Sequence, residues 1–141
     1  KLVYSREEKF GDKQLIESIA ERYKITFEEA AAAKNKGELP IDYETEILEP
    51  FKENLLWQIK RTLQFFYSTH QNGEVGHILL AGGLARLPGL IALVKDRLGI
   101  TATIANPLSW MTLSQKVDWN SINNDAPALM IACGLALRNI A

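Results

Sequence analysis

One cysteine, Cys133, in 141 residues leaves no intrachain disulfide to make, which fits a reducing compartment. The two histidines, His70 and His77, lie far from it, so no metal-ligand spacing is present and no metal site is assigned. Charge of one sign is also lacking: 16 Lys and Arg stand against 17 Asp and Glu, a net charge of −1, with the signs interspersed. That excludes the basic stripe a nucleic-acid surface needs. The longest apolar run, Ala126 to Leu137, is too short to cross a bilayer. Serine, histidine and cysteine fall in no nucleophile elbow, so no catalytic residue is assigned. Neither GxGxxG nor a P-loop occurs, which removes dinucleotide and Walker-type binding.

What remains is an ordinary globular composition, 47% hydrophobic, long enough for one domain with its own core. The chain opens on Lys1, directly before the apolar triplet Leu2-Val3-Tyr4, and reads as a piece of a longer protein that begins in a surface strand. Leu15, Ile16, Ile19 and Tyr23 recur at helical spacing, predicting a helix over 12–23 capped by Asp12. Thr26 with Glu29 has capping-box spacing and opens an alanine helix to Lys36, stopped by Gly37. Ile47, Phe51, Leu55, Ile59, Leu63 and Phe66 mark a long helix, about 45–70, which either starts or kinks at Pro50 and stops at Gln71-Asn72-Gly73. A second strand spans 101–105, and one helical turn is expected within 111–115. Asp125 is the expected N-cap of a last helix through Arg138, rich in small residues and buried on most sides. The order of elements predicts an α/β unit with a small sheet.

The most informative stretch is His77 to Leu90. An apolar strand breaks on Gly82-Gly83, and Pro88-Gly89 then opens an apolar helix ending at Gly99. Such a turn lets a ligand approach the backbone closely, with N–H groups pointing outward, as α/β folds do at the carboxyl ends of strands. A tight turn without a ligand satisfies the same pattern. Elsewhere, Lys34 could reach a phosphate or ribose, though a lysine near a helix C-terminus is commonplace. Trp57, Trp110 and Trp119 suit a partner contact or a core equally well. Cys133 reads as inert core.

Taken in order, several segments resemble the C-terminal part of an actin-like ATPase, of the ribonuclease-H-like fold. They are Phe10-Gly11-Asp12-Lys13-Gln14-Leu15, the alanine helix through Lys34, Arg61 to Phe66, Ile78 to Gly83, Ala105-Asn106-Pro107 and Asp125 to Arg138. The similarity is closest to the PilM-type actin-like proteins of type IV pilus assembly, relatives of the cell-division protein FtsA. It covers essentially the whole chain as a single unit, residues 1–141, with a small mixed sheet, flanking helices, and a helical insertion at about 24–45 forming a small upper lobe. The resemblance implies an ATP site, filled by Mg-ATP in the intact protein. Its adenosine side would comprise Gly82 and Gly83, Leu84 and Ala85 beside the base, and Lys34 on the facing helix. The cell-division branch has Glu where this chain has Ala31. The phosphate loops and catalytic acid of such ATPases have no match here, so no activity is implied for this stretch. The implied role is a scaffold on the cytoplasmic face of the inner membrane. It would serve twitching motility, with the tail of a PilN-type protein, whose groove would lie mostly upstream of this chain, and other pilus platform proteins as partners and no nucleic acid. A phosphotransferase on the same fold, of the sugar or acetate kinase kind, and a nucleotide-free interaction module are the alternatives. With Leu2–Ser5 as the third strand of a sheet whose first two lie upstream, an open sheet edge and self-association are expected.

Overall fold

The computed structural model describes residues 2–70, 73–112 and 114–139, in two compact units, Lys1–Glu74 and Val75–Ala141.

In the first unit, helix α1 spans Asp12–Tyr23 and α2 spans Phe27–Lys36. The cap of α1 is Gly11 rather than Asp12: the Gly11 N–H donates to Gln14 Oε1 at 2.7 Å, and Asp12 sits in the first turn, where a carboxylate meets the positive end of the helix dipole. The Thr26 capping box forms as expected. The Glu29 N–H donates to Thr26 Oγ1 at 3.2 Å, and the Glu29 carboxylate accepts from the Thr26 N–H at 2.8 Å. Those bonds from Thr26, backbone first, hold the Glu29 carboxyl below its ordinary pKa. A group with a lowered folded pKa contributes stability above its unfolded value and loses it as pH falls through the folded value. Thr26→Ala is expected to cost about 1 kcal/mol, the ordinary loss of an N-cap hydroxyl. The loss is read by urea denaturation, and most of it should persist in acid, because alanine keeps the Thr26 N–H that holds the Glu29 carboxylate.

The long helix, α3, spans Glu49–Thr69 and is preceded by a π-helical turn, Glu44–Leu48. Pro50 explains the wide turn. It has no N–H to give, and its ring would crowd the carbonyl four residues back in a regular α-helix; here the Glu49 N–H instead closes on the Glu44 carbonyl, five residues back. The end signal at Gln71-Asn72 lies outside the described residues, and α3 closes with the His70 N–H on the Phe66 carbonyl. The core of this unit is made by Leu15 and Ile19, both fully buried, with Ile16, Ala30, Ile47, Leu48, Phe51 and Leu56. Lys52 is buried as well, its amine held by the Glu49 carboxylate.

The expected strand at the start of the chain is absent. Residues 2–8 have no regular structure, Leu2 and Val3 are exposed, and no described strand pairs with them. Strand geometry requires a ladder partner. This segment rests on α3 instead, through the Tyr4 ring, 5.6 Å from Phe65 and 6.2 Å from Phe66.

In the second unit, β1 (His77–Leu80) and β2 (Thr101–Ile104) form a two-stranded parallel sheet, joined through α4 (Leu90–Leu98). The register pairs His77 with Thr101 and Leu80 with Ile104, and His77 pins it. The Thr101 hydroxyl donates to the Gly76 carbonyl, so it accepts from His77 Nδ1 at 3.0 Å, and His77 Nε2 accepts from the Thr103 hydroxyl at 2.8 Å. Leu90, Val94, Ala85, Ala105, Leu108 and Ala126 form the core.

The C-terminal region departs from expectation in three ways. No helical turn lies within 111–115 among the described residues, Leu113 being outside them. The turn forms later as α5 (Trp119–Asp125), because Asp118 caps it through Asn120 N–H at 3.1 Å; Asp125 closes α5 and stands, as expected, at the N-cap position of the segment that follows, though its side chain makes no cap bond. The last helix is broken into a 3₁₀ turn (Ala126–Leu129), α6 (Met130–Ala136) and a second 3₁₀ turn (Leu137–Asn139). It is not buried on most sides: Ile131 is 78% and Leu135 60% exposed. A helix apolar all round needs neighbours on every side, and the second unit supplies them on one side only. Cys133 is correspondingly half-buried.

Candidate functional site

Both parallel strands run out at the same end of their sheet. There the turn after β1 faces the segment after β2, the position at which open α/β sheets hold ligands. The ladder extends by one bond, from the Ala105 N–H to the Leu80 carbonyl at 2.7 Å. The chain then turns through Gly82 into a 3₁₀ turn, Gly83–Arg86. Gly82 has φ 89° and ψ 178°, a backbone region that is essentially restricted to glycine. A Cβ at Gly82 or Gly83 would meet nothing within 4 Å, so the space in front of the turn is open.

The N–H of Gly82 does not point outward. It donates to the Pro127 carbonyl at 2.8 Å, tying the turn to the start of the last helical segment. The turn's own bonds use the Ala85 N–H, on the Gly82 carbonyl, and the Leu87 N–H, on the Leu84 carbonyl. Leu84 is half-buried, while Ala85, 3% exposed, packs into the core and so holds the turn down from beneath.

Arg86, at the end of this turn, lines a cavity of about 270 Å³ that Gly82 to Ala85 do not line. Arg86, Asn106, Asn123 and Asn124 supply its polar groups, with Ile104 and Pro127 among its apolar ones. Arg86 lies 3.7 Å from Asp125, which balances its charge. The Asn106 amide donates to Asn123 Oδ1 at 3.3 Å, and its oxygen accepts from the Leu108 N–H at 2.9 Å. Neutral amides beside a compensated guanidinium suit hydrogen bonds to a heterocycle or a hydroxyl better than they suit a phosphate chain. Among the described residues, no group of three or more His, Cys, Asp or Glu could hold a metal ion.

Gly82, Gly83, Leu84 and Ala85 thus share one turn in the second unit. Lys34 belongs to the first unit, on the last turn of α2, where its amine sits 2.7 Å from the Asp12 carboxylate. Ala31 is half-buried one turn earlier. Sequence reading missed Arg86, Asn123 and the Pro127 carbonyl as parts of the turn's surroundings. Asn106-Pro107 offered a signal, an Asx-turn pair directly after a strand.

Over residues 1–140 the chain matches the family described as type IV pilus assembly protein PilM. Among solved structures it is similar to a chain of one titled "PilM-PilN type IV pilus biogenesis complex", with a TM-score of 0.70 and 26% identity. The alignment covers 92% of this chain and 37% of that one, so this chain spans a little over a third of its relative's length.

Proposed function

Because the chain belongs to the PilM family of type IV pilus assembly proteins, we propose that it forms the adenosine side of an ATP site in a cytoplasmic scaffold. That scaffold would lie against the inner face of the bacterial inner membrane and carry the pilus assembly platform. The observation that carries this reading is the Gly82-Gly83 turn at the carboxyl end of β1, held in a glycine-only conformation with open space before it. A glycine-only backbone position at the carboxyl end of a parallel strand lets a ligand come close to the main chain. Gly82, Gly83 and Leu84 would face the nucleoside, and Ala85 would support them from the core. The relative's title names a PilM–PilN complex, which supports a PilN-type protein as a partner of the intact protein. ATP would act here as a bound effector of the scaffold.

A nucleotide-free interaction module is favoured by one observation, the Gly82 N–H already satisfied by Pro127. Calorimetric titration of ATP separates the readings. The sequence contains no glycine-rich phosphate loop, and charge-assisted phosphate contacts dominate nucleotide affinity. Residues 1–141 alone are therefore expected to bind ATP at millimolar strength or weaker, about 4 kcal/mol. The full-length protein should bind it at least about 100-fold more tightly. Absence of heat from the folded full-length protein would leave the interaction module.

A further inference from the structure

The first unit holds a concavity of its own. It is an open trough of about 590 Å³ between α1 and the π-turn at the head of α3. Its floor is apolar: Ile47 and Phe51 are buried, Pro50 flanks them, and the Phe10 ring stacks on Phe51 at 4.7 Å and 20°. Its rim is polar. On the α1 side, Gln14, Ser18, Glu21 and Arg22 recur at helical spacing, so they line one edge; Glu46 and Asn54 line the other.

The charge along the rim is uneven. Arg22 lies 3.4 Å from Glu46 and 3.6 Å from Asp42, so its charge is compensated twice, and Glu21 adds a further carboxylate. Asp42 also accepts from the Tyr23 hydroxyl at 3.0 Å; burial first, and this carboxylate second, raise the phenol above its ordinary pKa and keep it a donor. The trough thus presents an apolar floor between edges that carry a surplus of negative charge.

We infer that this trough docks a short amphipathic helix of a partner protein, with an apolar anchor for the floor and lysine or arginine on its flanks. From Gln14 to Arg22 the α1 edge runs about 12 Å, two turns of helix, the reach of an i, i+3, i+4, i+7 stripe. Both walls are helices, so no open backbone edge invites an added strand. A second copy in the same trough would set Glu21 and Glu46 against themselves across a two-fold axis. An anionic lipid surface would be repelled by the same carboxylates.

The test uses the full-length protein and a fluorescein-labelled, helix-stabilised 14-residue peptide with one Phe–Leu face and flanking lysines, followed by anisotropy. Two control peptides carry glutamates for the lysines or alanine for the phenylalanine. Both should bind at least about 10-fold more weakly, since charge complementarity and a buried aromatic anchor each matter on that scale. Ser18→Arg and Asn54→Arg, on opposite exposed edges, should each weaken the lysine peptide at least about 10-fold at an unchanged melting temperature. Equal binding of the lysine and glutamate peptides, indifference to both arginine variants, or no saturable binding of any peptide overturns the inference. So does a dimer in sedimentation that Ser18→Arg dissolves, which would make the occupant a second copy.

Discussion

Valine in place of Gly82 is expected to abolish ATP binding by the full-length protein. At φ 89° and ψ 178°, any side chain costs about 1–3 kcal/mol of backbone strain, and β-branching adds to it. The turn would move rather than keep that conformation, breaking the Gly82–Pro127 bond and filling the open space. Thermal shift reads the result: a nucleotide at 100 times its Kd stabilises by about 2.7 kcal/mol, and the variant should show none of that increment. Gly83→Ala is the cleaner companion. Gly83 has no positive φ and no neighbour for a new Cβ, so its melting temperature should hold while ATP affinity falls about 10-fold or more, the methyl group standing where the nucleoside would lie. An ATP increment retained in both variants would make the turn a structural one only.

The second large effect falls on stability. Ile19→Ala should cost about 2–5 kcal/mol, a large fraction of the 5–15 kcal/mol typical of a domain. Ile19 is fully buried beside Leu15, also fully buried, in the core that α1 shares with α2 and the head of α3. Removing its branched chain forfeits transfer free energy and leaves a cavity that rigid helices collapse poorly. Urea unfolding of the full-length protein measures the change. A loss below about 1 kcal/mol, the range of exposed sites, would show that α1 does not pack as described.

Local signals were legible in proportion to how local they are. The helix of 12–23, the Thr26 box, the alanine helix and the strand before Gly82 were read correctly, because periodicity and caps act within a few residues. The strand expected at Leu2–Ser5 failed for the opposite reason. A strand is decided by a partner elsewhere, and three apolar residues pack equally well by laying Tyr4 on Phe65 and Phe66. The last helix failed twice. Ala126-Pro127 tightened its start into a 3₁₀ turn, and an apolar sequence does not reveal whether neighbours exist to cover it. In the candidate site, the glycine pair announced itself, but the Gly82–Pro127 and Asn106–Asn123 bonds did not. Such pairings join distant positions and leave no periodicity to read.

Chain length offers another view of the π-turn at Glu44–Leu48. Closing a ring over five residues instead of four inserts one residue into what would otherwise be regular α-helix. Each residue turns a helix by about 100°, so that insertion swings everything before it by the same angle relative to α3. The two residues just upstream are Asp42 and Tyr43. Without the insertion Asp42 would face elsewhere; with it, the carboxylate meets both the Arg22 guanidinium and the Tyr23 hydroxyl. A homologue lacking proline at the position of Pro50 would be free of the crowding that favours the wide turn. Its alignment should show a one-residue gap here, and its counterpart of Arg22 should be left without this clasp.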